Sequence, residues 1–127
     1  MRLFLFALFT LLILSCNKPN DNEVIFLHWT VVKVEGPATG NVNQPVAITV
    51  YWPYGSGSYD VLDKFVETKE GNMIYIKAYG HRTSGICTMD AGIKTKTYNF
   101  LSASAGIFEL RFVNRDNTFI SHTIVIT

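Results

Sequence analysis

The chain of 127 residues has two cysteines, three histidines and four prolines. Two cysteines, at positions 16 and 87, allow at most one internal disulfide, which excludes a small fold stapled by several bridges. Neither sign of charge dominates, with eleven Lys and Arg against ten Asp and Glu. That balance argues against nucleic acid, which selects for a basic face, and against strong attraction to anionic lipid. No segment has the three-and-four apolar spacing of a long amphipathic helix. The long apolar run, Leu3 to Leu14, is broken only by Thr10. A dozen residues of helix rise about 18 Å, against a hydrocarbon core of about 30 Å. The run suits the export machinery and is too short for a comfortable membrane span.

What is present at the start of the chain gives it an address. Met1-Arg2, the apolar run and the small Ser15 have the layout of a secretory signal. Ile13-Leu14-Ser15-Cys16 resembles the lipobox of bacterial lipoproteins, with Leu14 bulkier than the small residue usual there. The resemblance implies cleavage before Cys16 and transfer of diacylglycerol to its thiol, with further acylation by chains such as palmitate. Two or three acyl chains anchor stably where one is marginal. Asn17 to Glu23 is polar and aperiodic and reads as a tether. The expected organisation is a signal peptide over 1–15, a lipidated Cys16 with its tether over 16–23, and one domain over 24–127. Loss of Arg2 with the leader leaves ten Lys and Arg against ten Asp and Glu. The membrane link would then be the lipid itself. Asn17 in place of an aspartate favours the outer membrane, facing the periplasm or the cell surface. With Cys16 acylated, Cys87 has no partner within the chain.

The rest reads as β-rich runs between turn signals. Val24 to Glu35 is the first run, ending at Gly36-Pro37. Val46 to Trp52 alternates, with Val46, Ile48, Val50 and Trp52 on one face. Pro53 to Ser58 reads as a loop, and Tyr59 to Thr68 as a strand with Val61, Phe65 and Val66 as its apolar members. Lys69 to Asn72 is a tight turn. Met73 to Tyr79 sets Ile74, Ile76 and Ala78 against Tyr75, Lys77 and Tyr79, and Gly80 to Gly92 reads as a loop. Thr95 to Leu101 turns Tyr98 and Phe100 to the core. Phe108, Leu110 and Phe112 alternate with polar residues, and Phe119 to Ile126 closes the chain. About seven short strands at this spacing predict an all-β, immunoglobulin-like antiparallel β-sandwich.

Ser104 to Phe112 is similar to the corner at which immunoglobulin-like and fibronectin-like domains enter their penultimate strand. Phe108 stands where those families have a tyrosine, so the corner hydrogen bond is missing. Gln44 to Val50, Asp63 to Thr68, Gly106 to Phe112 and Thr118 to Val125 together resemble small one-domain lipoproteins common in Bacteroidota. That resemblance implies fold and address, and no activity.

Sequence chemistry is sparse. His28, His81, His122, Cys87 and Met89 invite a metal site of blue-copper type, but no His follows Cys87 until His122, on the last expected strand, where such sites need a Cys, His and Met on one late loop. No metal and no cofactor are expected. Gly55-Ser56-Gly57-Ser58 lacks the spacing of a nucleophile elbow. Asp60 with Asp63, and Glu67 with Glu70, read as solvating groups on a strand rather than as a glycosidase pair. Tyr51, Tyr54 and Tyr59 flank the Gly-Ser loop and are the candidate ligand contacts, since exposed aromatics stack on sugars or fill protein pockets. Trp29 and Trp52 are expected in the core. The expectation is a non-catalytic binding module for a protein or glycan, held at the membrane by its lipid. The alternative is a structural subunit of an envelope complex, with an enzyme third. A glycan binder predicts aromatics clustered on one exposed surface.

Overall fold

The computed structural model describes residues 24–55, 59–83 and 91–127. Cys16, the leader, the tether, Cys87 and Met89 lie outside the described residues, as does the Tyr59 side chain. The strands are β1 (Val24–Trp29), β2 (Lys33–Glu35), β3 (Thr39–Gly40), β4 (Val46–Tyr54), β5 (Tyr59–Glu70), β6 (Met73–Thr83), β7 (Gly92–Phe100), β8 (Gly106–Val113) and β9 (Phe119–Ile126). They form a two-sheet β-sandwich. The smaller sheet is β2-β4-β7; in the larger, β6 has β5 along one edge and β1 and β8 end to end along the other, followed by β9 and β3.

Among the described residues, seven runs become nine strands for a physical reason. The first run divides at Thr30–Val32: its start pairs with β6 in the larger sheet and its end with β4 in the smaller. The two-residue β3 then pairs with β9 in parallel. Most pairings are antiparallel, as expected. A second parallel pairing sets Met73–Ile76 beside Glu109–Phe112, so β6, rather than β5, lies against β8.

Asn114 holds the crossing. It is 8% exposed, accepts from Val31 N–H at 2.8 Å and donates to Val31 C=O at 3.3 Å. One amide side chain thus completes both backbone groups of a buried residue that no strand partners there. Asn114→Ala would orphan both, at roughly 1–3 kcal/mol for each buried group left unmade. A loss of about 2 kcal/mol in urea unfolding is expected, and no smaller a loss for Asn114→Asp, whose buried carboxylate would face Val31 C=O without a donor. An alanine variant within 0.5 kcal/mol of wild type would contradict this role.

The alternating faces meet as expected. Val46, Ile48, Val50 and Trp52 are buried against Ile74, Ile76, Ala78, Leu110, Phe112 and Ile124. Trp29 lies 5.0 Å from Trp52 between ring centroids, and Tyr98 stands edge-on to both Phe65 and Phe112. Phe108 packs on Phe100 at 5.3 Å, so the corner aromatic serves as core. Gly71, at φ 62°, makes the first position of the two-residue turn between Glu70 and Met73, a conformation that disfavours a side chain.

Two expectations are corrected. The stretch from Gly80 is strand as far as Thr83, because β6 is paired on both edges there. Asp60 does not solvate its strand; it is 1% exposed and paired with Arg82. Between Leu62 and Lys64 the register of β5 slips by one residue, a β-bulge. It turns Leu62 and Phe65 inward and leaves Asp63 and Lys64, adjacent in sequence, both exposed.

The open flank between β5 and β7 is closed by lysines. Lys94 Nζ donates to Asp60 C=O at 2.9 Å and Lys96 Nζ to Leu62 C=O at 3.0 Å. Tyr98 donates its hydroxyl to Glu67 one step further along. Burial first, then that carboxylate, push the Tyr98 phenol well above its ordinary range. Charged groups laid on an edge in this way block pairing with another chain.

Candidate functional site

The most developed surface feature is a groove of about 760 Å³ on the outer face of the larger sheet. Its floor is β6 at Tyr79 and Gly80. One wall is β1, through Phe26, Leu27 and His28; the other is β5, through Asp63, Lys64 and Val66. The alternation that buries Ile76, Ala78 and Gly80 sends Lys77, Tyr79 and His81 outward. The register then sets Phe26 opposite His81 and His28 opposite Tyr79. The bulge in β5 supplies two adjacent polar side chains to the far wall where a regular strand would supply one.

The groove therefore combines ring faces with hydrogen-bonding groups. Phe26 is 79% exposed. The His28 and Tyr79 rings lie 5.1 Å apart at 33°. His28 donates from Nε2 to Val113 C=O at 2.7 Å, which fixes the tautomer and leaves Nδ1 as an acceptor. His81 Nδ1 meets Asp63 Oδ2 at 2.6 Å, so the carboxylate is oriented from the floor. The aromatic surface continues down the same face. Arg111 lies over the Phe119 ring at 4.5 Å and over the Tyr75 ring at 5.9 Å, and is held by Glu109 at 3.1 Å. The hydrogen bond from Arg111 to Glu109 raises the guanidinium pKa above its ordinary value.

The tyrosines expected as contacts are placed apart. Tyr51 lies on the outer face of the smaller sheet, where its hydroxyl donates to Glu35 at 2.7 Å and Lys33 sits over its ring at 5.2 Å. Hydrogen bonds from Lys33 and then Tyr51 hold the Glu35 carboxyl below its ordinary value. Tyr54 is on the opposite face of β4, packed against the core with Lys94 over its ring at 4.7 Å. The fold thus does not bring Tyr51 and Tyr54 together. The sequence carried a signal for the face that does gather rings: Tyr75 and Tyr79 share a phase opposite Ile74 and Ile76. Phe26 and His28 were hidden inside one long β-rich run, and nothing in the chain gives its pairing with β6.

Among the described residues, no group of three or more His, Cys, Asp or Glu side chains could hold a metal ion. His28 and His122 make separate bonds to the carbonyls of Val113 and Pro37, the latter at 2.8 Å. Asp60 is committed to Arg82 and to Gly55 N–H, at 2.7 and 2.8 Å. These arrangements orient structure, and the groove is the place where a ligand would meet oriented polar groups beside rings. No family model matches the chain, and neither a curated protein nor a solved structure is significantly similar to it.

Proposed function

We propose that this protein is a non-catalytic glycan-binding module, anchored to the outer membrane by lipid on Cys16. The observation that carries the binding role is the groove, where His28 and Tyr79 line one concavity with Asp63 and Lys64, and Phe26 forms only its rim. A sugar has an apolar C–H face and a rim of hydroxyls. Ring faces beside a carboxylate, an ammonium and the second nitrogen of the His28 imidazole answer both parts, whereas a purely apolar partner would leave the polar groups unused. Rings clustered on one exposed face are what a glycan binder predicts, whereas a structural subunit predicts a large apolar patch or an open strand edge. Anchoring rests on the sequence around Cys16 and on the polar tether after it.

The test is oligosaccharide-array binding by the full mature protein in detergent, followed by affinity measurement on variants. Tyr79→Ala should lower affinity at least about tenfold, the loss of one central aromatic contact. Loss of binding in Tyr51→Ala or Tyr54→Ala, with Tyr79→Ala unaffected, would move the site to the 51–59 region. Crosslinking in intact cells that recovered a stable protein assembly and no polysaccharide would favour the structural-subunit reading.

A further inference from the structure

We infer that the end of the sandwich from which the tether leaves docks against the phospholipid bilayer, with Val24, Ile25 and Phe26 entering its interfacial layer. This rests on the proposed lipidation of Cys16 and deepens it.

With Cys16 acylated, the chain would emerge from the membrane at that residue. Cys16 and Val24 are eight residues apart in sequence. Fully extended, that segment reaches at most about 26–29 Å, at roughly 3.3–3.6 Å per residue. The first residues of β1 are therefore held within one short tether of the lipid headgroups, at high effective concentration with respect to them.

Those residues are the one run of three consecutive exposed large hydrophobics among the described residues. Val24 is 47% exposed, Ile25 41% and Phe26 79%. They are consecutive, so they point to both faces of the sheet in turn. One face of an edge strand normally rests on the core while the other is polar. Here both faces are apolar until Leu27, which is partly buried, and Trp29, which is 7% exposed. A strand that is apolar on every side at its membrane-proximal end, and half-buried only further on, matches an apolar phase beginning at that end. A ligand in the groove would account for Phe26 alone.

The balanced charge of the mature chain makes this contact one of apolar insertion rather than of attraction to anionic headgroups. It should persist at high salt, unlike an electrostatic one. Docking also sets the direction of the groove. Phe26 is its rim on the tether side, so the groove opens along the bilayer surface and a ligand reaches it there.

The experiment uses the full-length protein, processed and acylated in cells and reconstituted into phosphatidylethanolamine–phosphatidylglycerol vesicles. Cys87→Ser removes the competing thiol. Val24→Cys, Phe26→Cys or Ile107→Cys, each at an exposed position, then carries an environment-sensitive fluorophore. Ile107 lies at the other end of the sheet, near the β6 start, with about 33 Å of strand between Met73 and Thr83. At positions 24 and 26 the emission should shift to the blue, and lipid-borne nitroxide should quench it. Iodide quenching there should be at least about fivefold weaker than at 107, in low and high salt alike.

Equal iodide access at 24, 26 and 107, with Cys16 shown acylated by mass spectrometry, would overturn docking and leave the anchor standing. Protection that vanished at high salt would overturn apolar insertion. An unmodified Cys16 would remove both the anchor and the docking built on it, without bearing on glycan binding measured in detergent.

Discussion

Gly80→Ala is expected to destabilise the domain by at least about 3 kcal/mol, the upper range for overpacking a core, and to leave little folded protein at 37 °C. Gly80 is buried in β6, paired with Leu27 on one side and Leu62 on the other. The Trp29 indole crosses directly over it to donate to Val61 C=O at 3.0 Å, linking β1 to β5 across the strand between them. A Cβ at position 80 would overlap that carbonyl oxygen and the indole nitrogen, and would come within 2.8 Å of Leu62 Cα. Two of these three obstacles are backbone, which no rotamer change relieves. Trp29 is also packed on Trp52, so it cannot withdraw without opening the core. Adding Trp29→Phe to Gly80→Ala should therefore fail to restore stability, since Val61 C=O and Leu62 Cα remain in place. Urea unfolding followed by tryptophan fluorescence checks this; a loss below about 1 kcal/mol would show that β5 can shift away from β6.

Arg82→Ala should cost about 3 kcal/mol, the scale for stripping one partner from a buried ion pair. The Asp60 carboxylate is fully enclosed, and Arg82 approaches it with two parallel donors, Nε at 2.7 Å and Nη2 at 3.0 Å. Asp60 also accepts from Gly55 N–H, so it fixes where β4 ends before the chain passes to β5. The hydrogen bond to Asp60 raises the Arg82 guanidinium above its usual value. Arg82 itself is partly exposed and covers the Trp29 ring at 5.6 Å, so some of the loss would come from packing. A double-mutant cycle with Asp60→Ala separates the two. A coupling energy of about 2 kcal/mol or more is expected; one below about 0.5 kcal/mol would place this pair with ordinary surface ion pairs.

The architecture was legible wherever one face of a strand is buried and the other wet. Val46 to Trp52 and Phe108 to Phe112 alternate in sequence because they alternate in burial, and their cores are as expected. Trp29 and Trp52 are buried for the same reason. Legibility failed where a strand changes partners. Val24 to Glu35 is a β-rich run without a turn signal, so nothing in it marks the step from one sheet to the other; that step depends on Asn114, some 83 positions away. It failed again at the bulge, where one extra residue in β5 reverses the phase. Val66 faces out at 41% exposure, while Leu62 is buried in its stead. Asp60 looked like a solvating residue because a buried carboxylate is recognisable only with its partner, and Arg82 lies on another strand.

The candidate site shared these limits. An aromatic loop of tyrosines was visible as composition, but β4 sends Tyr51 and Tyr54 to opposite faces. The rings that do share a surface come from β1, β6 and β9, and only the Tyr75–Tyr79 pair was in one phase of one run. The polar wall of the groove arises from the same bulge that obscured the strand.

A photoreactive side chain placed in the groove tests the central claim most directly. With the group at Val66 on the groove wall, or at Thr97 on the outer face of the smaller sheet, irradiation of intact cells should give a polysaccharide adduct from position 66 and none from position 97. Adducts from position 97 alone, or none from 66 in protein confirmed to be folded, would contradict a binding site on this face.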